Sequence, residues 1–244
     1  ELNEIQGKIE FKNVNFSYND QEHVIQNLSF TINRGETIAI VGATGSGKTT
    51  IINLILRLYD LSSGEILIDG INYKEIKLKS LRKHMSLVQQ DVFLFADSVL
   101  NNITLKSKDN LQKIKSAAEE IGLNFFISRI KEGYNYNIGE RGSKLSAGQR
   151  QLLTFLRAYL SNPSILILDE ATSSVDSDTE ELIHTAIDKI TKNRTSIIIA
   201  HRLSTIQKAD KILVLEKGCL VEQGNHQELL SKGGLYKKLY TIQF

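Results

Sequence analysis

A glycine-rich segment, residues 42–49, has the residue types and spacing of a phosphate-binding loop. It reads Gly-Ala-Thr-Gly-Ser-Gly-Lys-Thr, which fits the pattern G-x-x-x-x-G-K-[ST], and it lies between two apolar runs, 37–41 and 50–58. Glycines allow backbone N–H groups to converge on phosphate oxygens, and the positive end of a following helix strengthens that attraction. Lys48 is expected to reach the β- and γ-phosphates of a nucleotide, and the Thr49 hydroxyl to bind Mg²⁺. The predicted nucleotide-binding residues of this segment and of the position after it are Gly42, Thr44, Gly45, Ser46, Gly47, Lys48, Thr49 and Thr50.

Two adjacent carboxylates, Asp169 and Glu170, follow the apolar run 165–168. Ligands of α/β proteins bind at the carboxyl ends of parallel strands, and a rigid, dry strand would hold both carboxylates in place there. Asp169 suits the binding of Mg²⁺, directly or through water, and Glu170 could polarise a water for in-line attack on a γ-phosphorus. Acidic residues often follow buried strands, so the pair alone is weak evidence. Together with the phosphate loop, it predicts hydrolysis of a nucleoside triphosphate.

The elements that position these residues alternate between β-rich runs and helical stripes. Three runs, 37–41, 165–168 and 196–200, are apolar on both faces, which is typical of strands buried in a parallel sheet. Apolar residues in 152–160 and 182–190 recur at i, i+1 and i+4, which indicates helices. The sequence therefore predicts an α/β fold with a mainly parallel sheet. The predicted strands are 8–16, 37–41, 66–68, 85–88, 165–168, 196–200 and 212–215.

The chain reads as one domain, 1–244, with a helical insertion. Residues 91 to about 160 contain no convincing strand and have mainly helical patterns, whereas the first forty residues and 65–70 resemble antiparallel hairpins. We therefore expect a core with a β flank, formed by about 1–90 and 161–244, and a helical subdomain at about 91–160. The single proline, Pro163, lies between a predicted helix and a buried strand, where it would end the helix.

Composition and charge restrict the class of protein. Of the 244 residues 41% are hydrophobic, enough for a packed core, and 30 basic against 28 acidic residues leave a formal net charge of +2. A dedicated nucleic-acid-binding protein would carry a larger basic excess, so no nucleic-acid partner is expected. The single cysteine, Cys219, excludes an internal disulfide. No apolar run approaches the ~20 residues of a membrane helix, and a start at Glu1 without Met or leader suggests part of a longer protein.

Further motifs around the phosphate loop resemble those of ABC (ATP-binding cassette) ATPases. Residues 145–149, Leu-Ser-Ala-Gly-Gln, resemble the LSGGQ signature of this family, with Ala147 in place of one glycine of the usual pair. The motifs occur in the order typical of the family and cover essentially the whole chain, which implies a P-loop NTPase core. The other matches are Tyr18 (the A-loop aromatic that stacks on adenine), Gln90 (the Q-loop glutamine), 173–176 (the D-loop), His201 (the switch histidine) and 224–229 (a closing segment).

The resemblance implies ATP and Mg²⁺ as ligands and a role for each matched residue. Two such domains would pair head to tail, with each nucleotide between the phosphate loop of one domain and the signature of the other. Lys48, Glu170 and His201 would be catalytic: Glu170 would activate the attacking water, while His201 would contact the γ-phosphate and help to position that water. The implied metal site is Thr49, Gln90 and Asp169; Gln90 would sense Mg²⁺ and water and link to the membrane domain.

The signature would contribute Ser146, Gly148 and Gln149 to a nucleotide on the second domain. Ser146 is a natural N-cap for the following helix, whose N–H groups and positive end would then face the γ-phosphate. Ala147 adds one methyl group to the usual motif. Affinity would suffer if the backbone there needs a positive φ or a very close approach to phosphate.

Residues 139–142, Gly-Glu-Arg-Gly, resemble the X-loop of ABC exporters, and 81–95 resemble the surroundings of the exporter Q-loop. This resemblance implies the ATP-hydrolysing motor domain of an exporter at the cytoplasmic face of a membrane, expected to be a bacterial inner membrane. The expected partners are a transmembrane domain, on the same or a partner chain, and a second ABC ATPase domain, identical or different.

Two other functions stay open at this point. A soluble ABC protein that clamps nucleic acid, or acts in translation or repair, would have a coiled-coil insertion, tandem cassettes or a marked basic surface, and the sequence shows none of these. A regulatory module that binds nucleotide without hydrolysing it usually lacks the acid at position 170 or the histidine at position 201. This sequence has both.

Overall fold

The computed structural model describes residues 4–19, 23–105, 107, 109–169, 177–199 and 203–243. The chain divides into two compact units. The first comprises Glu1–Ser86, Ser164–Glu170 and Asn193–Phe244, and the second comprises Leu87–Pro163 and Ala171–Lys192. Among the predicted site residues, Glu170 and His201 lie outside the described part of the chain, as does the segment 173–176.

A six-stranded, mainly parallel sheet forms the centre of the first unit, as the sequence predicts. The strands are β1 (Ile9–Ser17), β2 (His23–Ile32), β3 (Thr37–Val41), β4 (Ser63–Ile68), β5 (Ile71–Asn72), β6 (Met85–Val88), β7 (Ile165–Asp169), β8 (Thr195–Ile199), β9 (Lys211–Glu216) and β10 (Cys219–Gly224). The central sheet has the order β10-β9-β3-β8-β7-β6, and the division between the units falls within β6. β3 is parallel to β8 and β9, β7 is parallel to β8, and β10 returns antiparallel to β9.

Burial explains why the central strands are apolar on both faces. Every residue of β8 is buried, and so are four of the five residues of both β3 and β7. A strand covered on both sides needs apolar side chains at every position, which removes the alternation of a half-exposed strand. The sequence patterns at 37–41, 165–168 and 196–200 therefore have a direct structural cause.

The predicted β flank is a second, antiparallel sheet with the order β2-β1-β4-β5. Its core includes the stacked rings of Phe11 and Phe30, whose centroids are 4.4 Å apart on neighbouring strands. The sheet is linked to the central sheet where the Gln26 N–H on β2 donates to the carbonyl of Gly218, in the turn between β9 and β10, at 3.0 Å. The antiparallel pair of β1 and β2 corresponds to the hairpin-like pattern of the first forty residues. β10 has no counterpart among the predicted strands, because it is only partly buried and lacks a continuous apolar run.

The segment predicted to be helical contains helices and no named strand among its described residues. The helices of the chain are α1 (Lys48–Ile55), α2 (Leu78–Lys83), α3 (Val99–Thr104), α4 (Leu111–Glu120), α5 (Asn124–Ser128), α6 (Ala147–Leu160), α7 (Ser177–Thr191), α8 (Leu203–Lys208), α9 (His226–Lys232) and α10 (Leu235–Gln243). In the second unit α6 packs against α3, α4 and α7. The predicted stripes on α6 and α7 supply its core, with Leu152, Leu156, Ile183 and Ile187 all buried.

None of the described helices is long and apolar enough to cross a membrane.

Candidate active site

The phosphate loop connects the buried strand β3 to helix α1. β3 ends at Val41 between β8 and β9, and α1 begins at Lys48, so residues 42–47 make the whole turn. Gly47 is the N-cap of α1 with φ of +102°, and no side chain caps the helix. The first N–H groups of a helix have no partner within that helix, and here no capping side chain occupies them. The turn therefore leaves backbone donors and the positive end of α1 available to an anion.

Lys48 lies against the carbonyl groups of its own loop. Its ammonium donates to the carbonyl oxygens of Gly42 at 2.7 Å and Ala43 at 3.0 Å. Burial lowers the pKa of Lys48, and the negative charge of Asp169 opposes that shift. Asp169 is the last residue of β7, so the structure brings the predicted phosphate-binding lysine within electrostatic reach of the predicted metal-binding carboxylate.

Ser46 and Thr49 present hydroxyl groups in two different environments. Ser46 is only 3% exposed, and its Oγ has no hydrogen-bond partner among the described residues. A buried hydroxyl without a partner is costly, and phosphate oxygens are acceptors that would satisfy it. Thr49, in the first turn of α1, is exposed. The loop thus has one buried hydroxyl without a partner among the described residues, on Ser46, and one exposed threonine, Thr49.

The hydroxyl of Tyr18, the predicted adenine-stacking residue, is hydrogen-bonded to two side chains of α1. Its side chain is half-exposed, its hydroxyl shares a hydrogen bond with Thr50 Oγ1 at 3.2 Å, and Asn53 Nδ2 donates to the same hydroxyl at 3.4 Å. Its ring lies perpendicular to those of Phe16 and Tyr59, with centroids 4.8 Å and 5.0 Å away. The helix that follows the phosphate loop therefore also locates the hydroxyl of Tyr18.

Gly218 supports the phosphate loop, although no motif of the sequence includes it. Its N–H donates to the carbonyl of Ser46 at 3.2 Å, and its own carbonyl accepts the Gln26 N–H at 3.0 Å. It occupies φ of +80° in the two-residue turn between β9 and β10. A Cβ at this position would collide with the backbone carbonyl of Val24. The Lys-Gly pair between two strands signals a tight hairpin turn, but its contact with the phosphate loop depends on tertiary structure.

The signature segment forms the N-terminus of α6, in the second unit. Ser146 is the N-cap: its Oγ accepts the Gln149 N–H at 3.2 Å, and the Gln149 side chain accepts the Ser146 N–H at 3.0 Å. This reciprocal capping box confirms the predicted N-cap. Ala147 is the first residue of the helix and has no positive φ, so the backbone strain considered for this substitution does not occur. Gly148 is buried in the same first turn.

The segment after β6 exposes Gln90 and a pair of phenylalanines. The rings of Phe93 and Phe95 are both exposed and meet edge to face, with centroids 5.0 Å apart. The buried side chain of Asn102 fixes this segment, accepting the Phe95 N–H at 2.8 Å and donating to the Phe95 carbonyl at 3.0 Å. Arg157, on α6, donates from Nε to the Asn102 carbonyl at 2.8 Å. Sequence reasoning missed Asn102 and Arg157, since a polar residue in a helix gives no sign of such a contact.

The described residues therefore bring together the phosphate loop, Asp169 and Tyr18 in the first unit, and place the signature and Gln90 in the second. Residues 139–142, which resemble the exporter X-loop, include a 3-10 turn at Glu140–Gly142 in which Glu140 and Arg141 are exposed. The roles assigned to Glu170 and His201, and the role of Gln90 at a metal, remain predictions.

A sequence model of the ABC transporter family matches residues 25–173, more than half of the chain. The chain belongs to the ABC transporter family. It is an ATP-binding domain of that family, and the ATP-binding domains of ABC transporters hydrolyse ATP. The match includes the phosphate loop, the signature, and Asp169 with Glu170. The predicted fold and the resemblance to ABC ATPases are thus confirmed.

Relatives of this ABC domain match over nearly its full length. It is 48% identical over 241 residues to an uncharacterized ABC transporter ATP-binding protein of Bacillus subtilis (strain 168), covering 98% of this chain and 40% of the relative. It is 49% identical over 240 residues to a Staphylococcus aureus (strain NCTC 8325 / PS 47) protein that bears the name multidrug export ATP-binding/permease protein, covering 98% and 42%.

A solved structure, that of a bacterial Atm1-family ABC exporter with ATP bound, matches with a TM-score of 0.90 and 40% identity over 98% of this chain and 42% of the exporter. The chain thus spans about two fifths of the length of the proteins that it resembles here.

Replacement of Gly218 by alanine is expected to weaken nucleotide binding, because the added Cβ would push the turn away from Val24 and from the carbonyl of Ser46. Gly70→Ala is a matched control: Gly70 has φ of +81°, and among the described residues nothing lies within 4 Å of a Cβ placed there. Both variants should lose about 1–2 kcal/mol of folding stability from the left-handed backbone, and Gly218→Ala should lose more, because its Cβ also meets the Val24 carbonyl.

Only Gly218→Ala should also lose affinity for ADP, measured by calorimetric titration well below the unfolding midpoint of each variant. Equal ADP affinities in the two variants would show that the turn does not position the phosphate loop.

Proposed function

We propose that this ABC domain is the motor of an exporter: it binds Mg-ATP, pairs with a second ABC domain around the nucleotide, and uses hydrolysis to drive transport through a transmembrane domain. The observation that carries the catalytic part is the phosphate loop, where Lys48, the uncapped start of α1 and Asp169 converge. The export part is supported by similarity across 98% of the chain to a multidrug export ATP-binding/permease protein and to an Atm1-family exporter.

ATP would replace contacts that the loop now makes with itself. The Lys48 ammonium would exchange the carbonyls of Gly42 and Ala43 for β- and γ-phosphate oxygens, which are stronger, charged acceptors. The unpartnered Ser46 Oγ and the free N–H groups at the start of α1 would donate to the same phosphates. At the other end, adenine would stack on the half-exposed ring of Tyr18.

The oxygen groups available near the phosphates fit Mg²⁺. Thr49 offers an exposed hydroxyl and Asp169 a carboxylate that reaches Lys48 electrostatically. No group of three or more His, Cys, Asp or Glu residues in the described part of the chain could hold a metal by itself. Mg²⁺ characteristically uses one or two protein ligands and completes its shell with water and phosphate oxygens, so this sparse set is adequate. When bound, the ion would neutralise charge that develops on the β- and γ-phosphates.

Catalysis would depend on positioning rather than on covalent chemistry. Glu170 follows Asp169 directly, and we assign to it the orientation of the water that attacks the γ-phosphorus in line. His201 would contact the γ-phosphate and help to hold that water. With both reactants held in place, most of the rate would come from geometry and from stabilisation of charge in the transition state.

The signature would bind the nucleotide held by a second domain. The capping box at Ser146 leaves other N–H groups in the first turn of α6 free, and the positive end of this 14-residue helix would face the γ-phosphate. ADP lacks that phosphate, so it would hold the two domains together less well. Hydrolysis would then act as a switch of association, because the γ-phosphate provides contacts that only the closed pair can make.

The second unit would provide the contact with a transmembrane domain, at the cytoplasmic face of a bacterial membrane. Its exposed Phe93 and Phe95, which the Asn102 side chain holds in place, form an aromatic pair on its surface. Contiguous exposed apolar surface marks sites that bind another protein segment, and we infer that this pair belongs to such a surface.

Lys48→Ala is expected to weaken ATP binding and abolish turnover without unfolding the domain. Loss of charge-assisted hydrogen bonds worth about 1.5–3 kcal/mol would lower affinity roughly 10- to 100-fold. Lys74→Ala, which removes an exposed lysine elsewhere in the first unit, is the control and should bind normally. Calorimetric titration with ATP, together with circular dichroism, measures both properties. Unchanged affinity in Lys48→Ala would contradict the assignment.

Glu170→Gln should bind Mg-ATP but lose turnover, because a carboxylate that orients water contributes more to the transition state than to the ground state. Uncleaved ATP should then trap a dimer, visible by size-exclusion chromatography with ATP and absent with ADP. Glu75→Gln, at an exposed glutamate, should hydrolyse ATP like the unmodified chain.

Hydrolysis at the normal rate in Glu170→Gln would remove this residue from catalysis. If the variant binds ATP and is inactive, yet stays monomeric at high concentration, pairing would instead require the membrane partner.

A further inference from the structure

Tyr59 is an exposed aromatic residue for which the family resemblance supplies no role. It follows α1 in a turn, and 45% of its surface is exposed, close to the 49% of Tyr18. The two rings meet at an interplanar angle of 88° with centroids 5.0 Å apart, and the buried ring of Phe16 lies 5.7 Å from Tyr59 and 4.8 Å from Tyr18. Three rings therefore form one cluster, and two of them reach the surface side by side.

The backbone that carries Tyr59 is held firmly. The Leu58 N–H donates to the Asn53 carbonyl at 2.9 Å, and the Arg57 guanidinium donates to the carbonyls of Tyr73 and Ile76 at 3.2 Å and 2.9 Å. Asn53 also donates to the Tyr18 hydroxyl at 3.4 Å. The same short stretch after the phosphate loop therefore fixes Tyr59 and one end of the Tyr18 ring.

The hydroxyl contacts of Tyr18 do not fix the rotation of its ring. Thr50 and Asn53 locate the phenolic oxygen, but the ring could still rotate about the axis through that oxygen. A perpendicular neighbour restrains this rotation, because edge-to-face contact is favourable only over a limited range of orientations. Phe16 and Tyr59 are the rings in contact with Tyr18 among the described residues, and of these Tyr59 is the exposed one.

We propose that Tyr59 is a positioning residue for the nucleotide base: its ring fixes the plane of the Tyr18 ring and so presents one face of Tyr18 for stacking. The inference rests on the proposed stacking of adenine on Tyr18. Tyr59 acts through Tyr18, and it makes no contribution to the phosphate end of the site.

The test compares ATP with tripolyphosphate, which has the phosphate chain but no base. In titrations of the 244-residue chain, Tyr59→Ala should lower ATP affinity roughly 2- to 10-fold, the range of an aromatic pair contact. Its affinity for tripolyphosphate should equal that of the unmodified chain. Tyr59→Phe, which keeps the ring, should restore ATP binding. Leu58→Ala removes a neighbouring side chain that is 51% exposed and should leave both affinities unchanged.

A double-mutant cycle separates this inference from the proposed function. Tyr18→Ala alone should weaken ATP binding roughly 5- to 100-fold, and Tyr59→Ala should add little in that background, because its effect passes through Tyr18. Normal ATP binding in Tyr18→Ala would overturn the base assignment and this inference with it. If Tyr18→Ala weakens binding, the inference alone is overturned by three results: no loss in Tyr59→Ala, an equal loss with and without Tyr18, or a loss of tripolyphosphate affinity.

Discussion

The nucleotide site depends on one constraint: the turn between β3 and α1 must leave the first N–H groups of α1 without protein partners. A side-chain cap would have satisfied those donors, but Gly47 supplies none. The turn begins at the end of β3, which is buried between β8 and β9. The Gly218 N–H also holds it by donating to the Ser46 carbonyl. Because these neighbours fix the backbone of the loop, its N–H groups stay available to a ligand.

Electrostatics around Lys48 prepare the same loop for an anion. Partial burial disfavours the ammonium charge, and two loop carbonyls with the charge of Asp169 compensate for it only in part. Ser46 Oγ is left without a partner in the described structure. A polyphosphate would offer acceptors to both the Lys48 ammonium and the Ser46 hydroxyl. Its binding would therefore offset the free-energy cost of burying these two groups. Two groups whose burial is unfavourable, the Lys48 ammonium and the Ser46 hydroxyl, thus lie in the loop where the ligand is expected.

Helix α6 connects two features of the second unit for which we propose functions. Its N-terminus is capped by Ser146 in the signature, and near its other end Arg157 holds Asn102, which in turn fixes the backbone of Phe95. A helix of 14 residues is about 21 Å long and behaves as a stiff element. The signature and the backbone of Phe95 are therefore attached to the same helix, Phe95 through Asn102 and Arg157.

The sequence by itself determined the fold class, the phosphate loop, the strand that ends in Asp169 and the N-cap at Ser146, because each depends on local spacing or on continuous burial. Only the tertiary structure decided that Gly218 supports Ser46, that Asn102 and Arg157 hold Phe95, and that Tyr59 meets Tyr18. These contacts join residues distant in sequence, and none has a local pattern that distinguishes it from an ordinary turn, helix or surface residue. Chain periodicity reports which face of an element is buried, whereas packing between elements decides what that face touches.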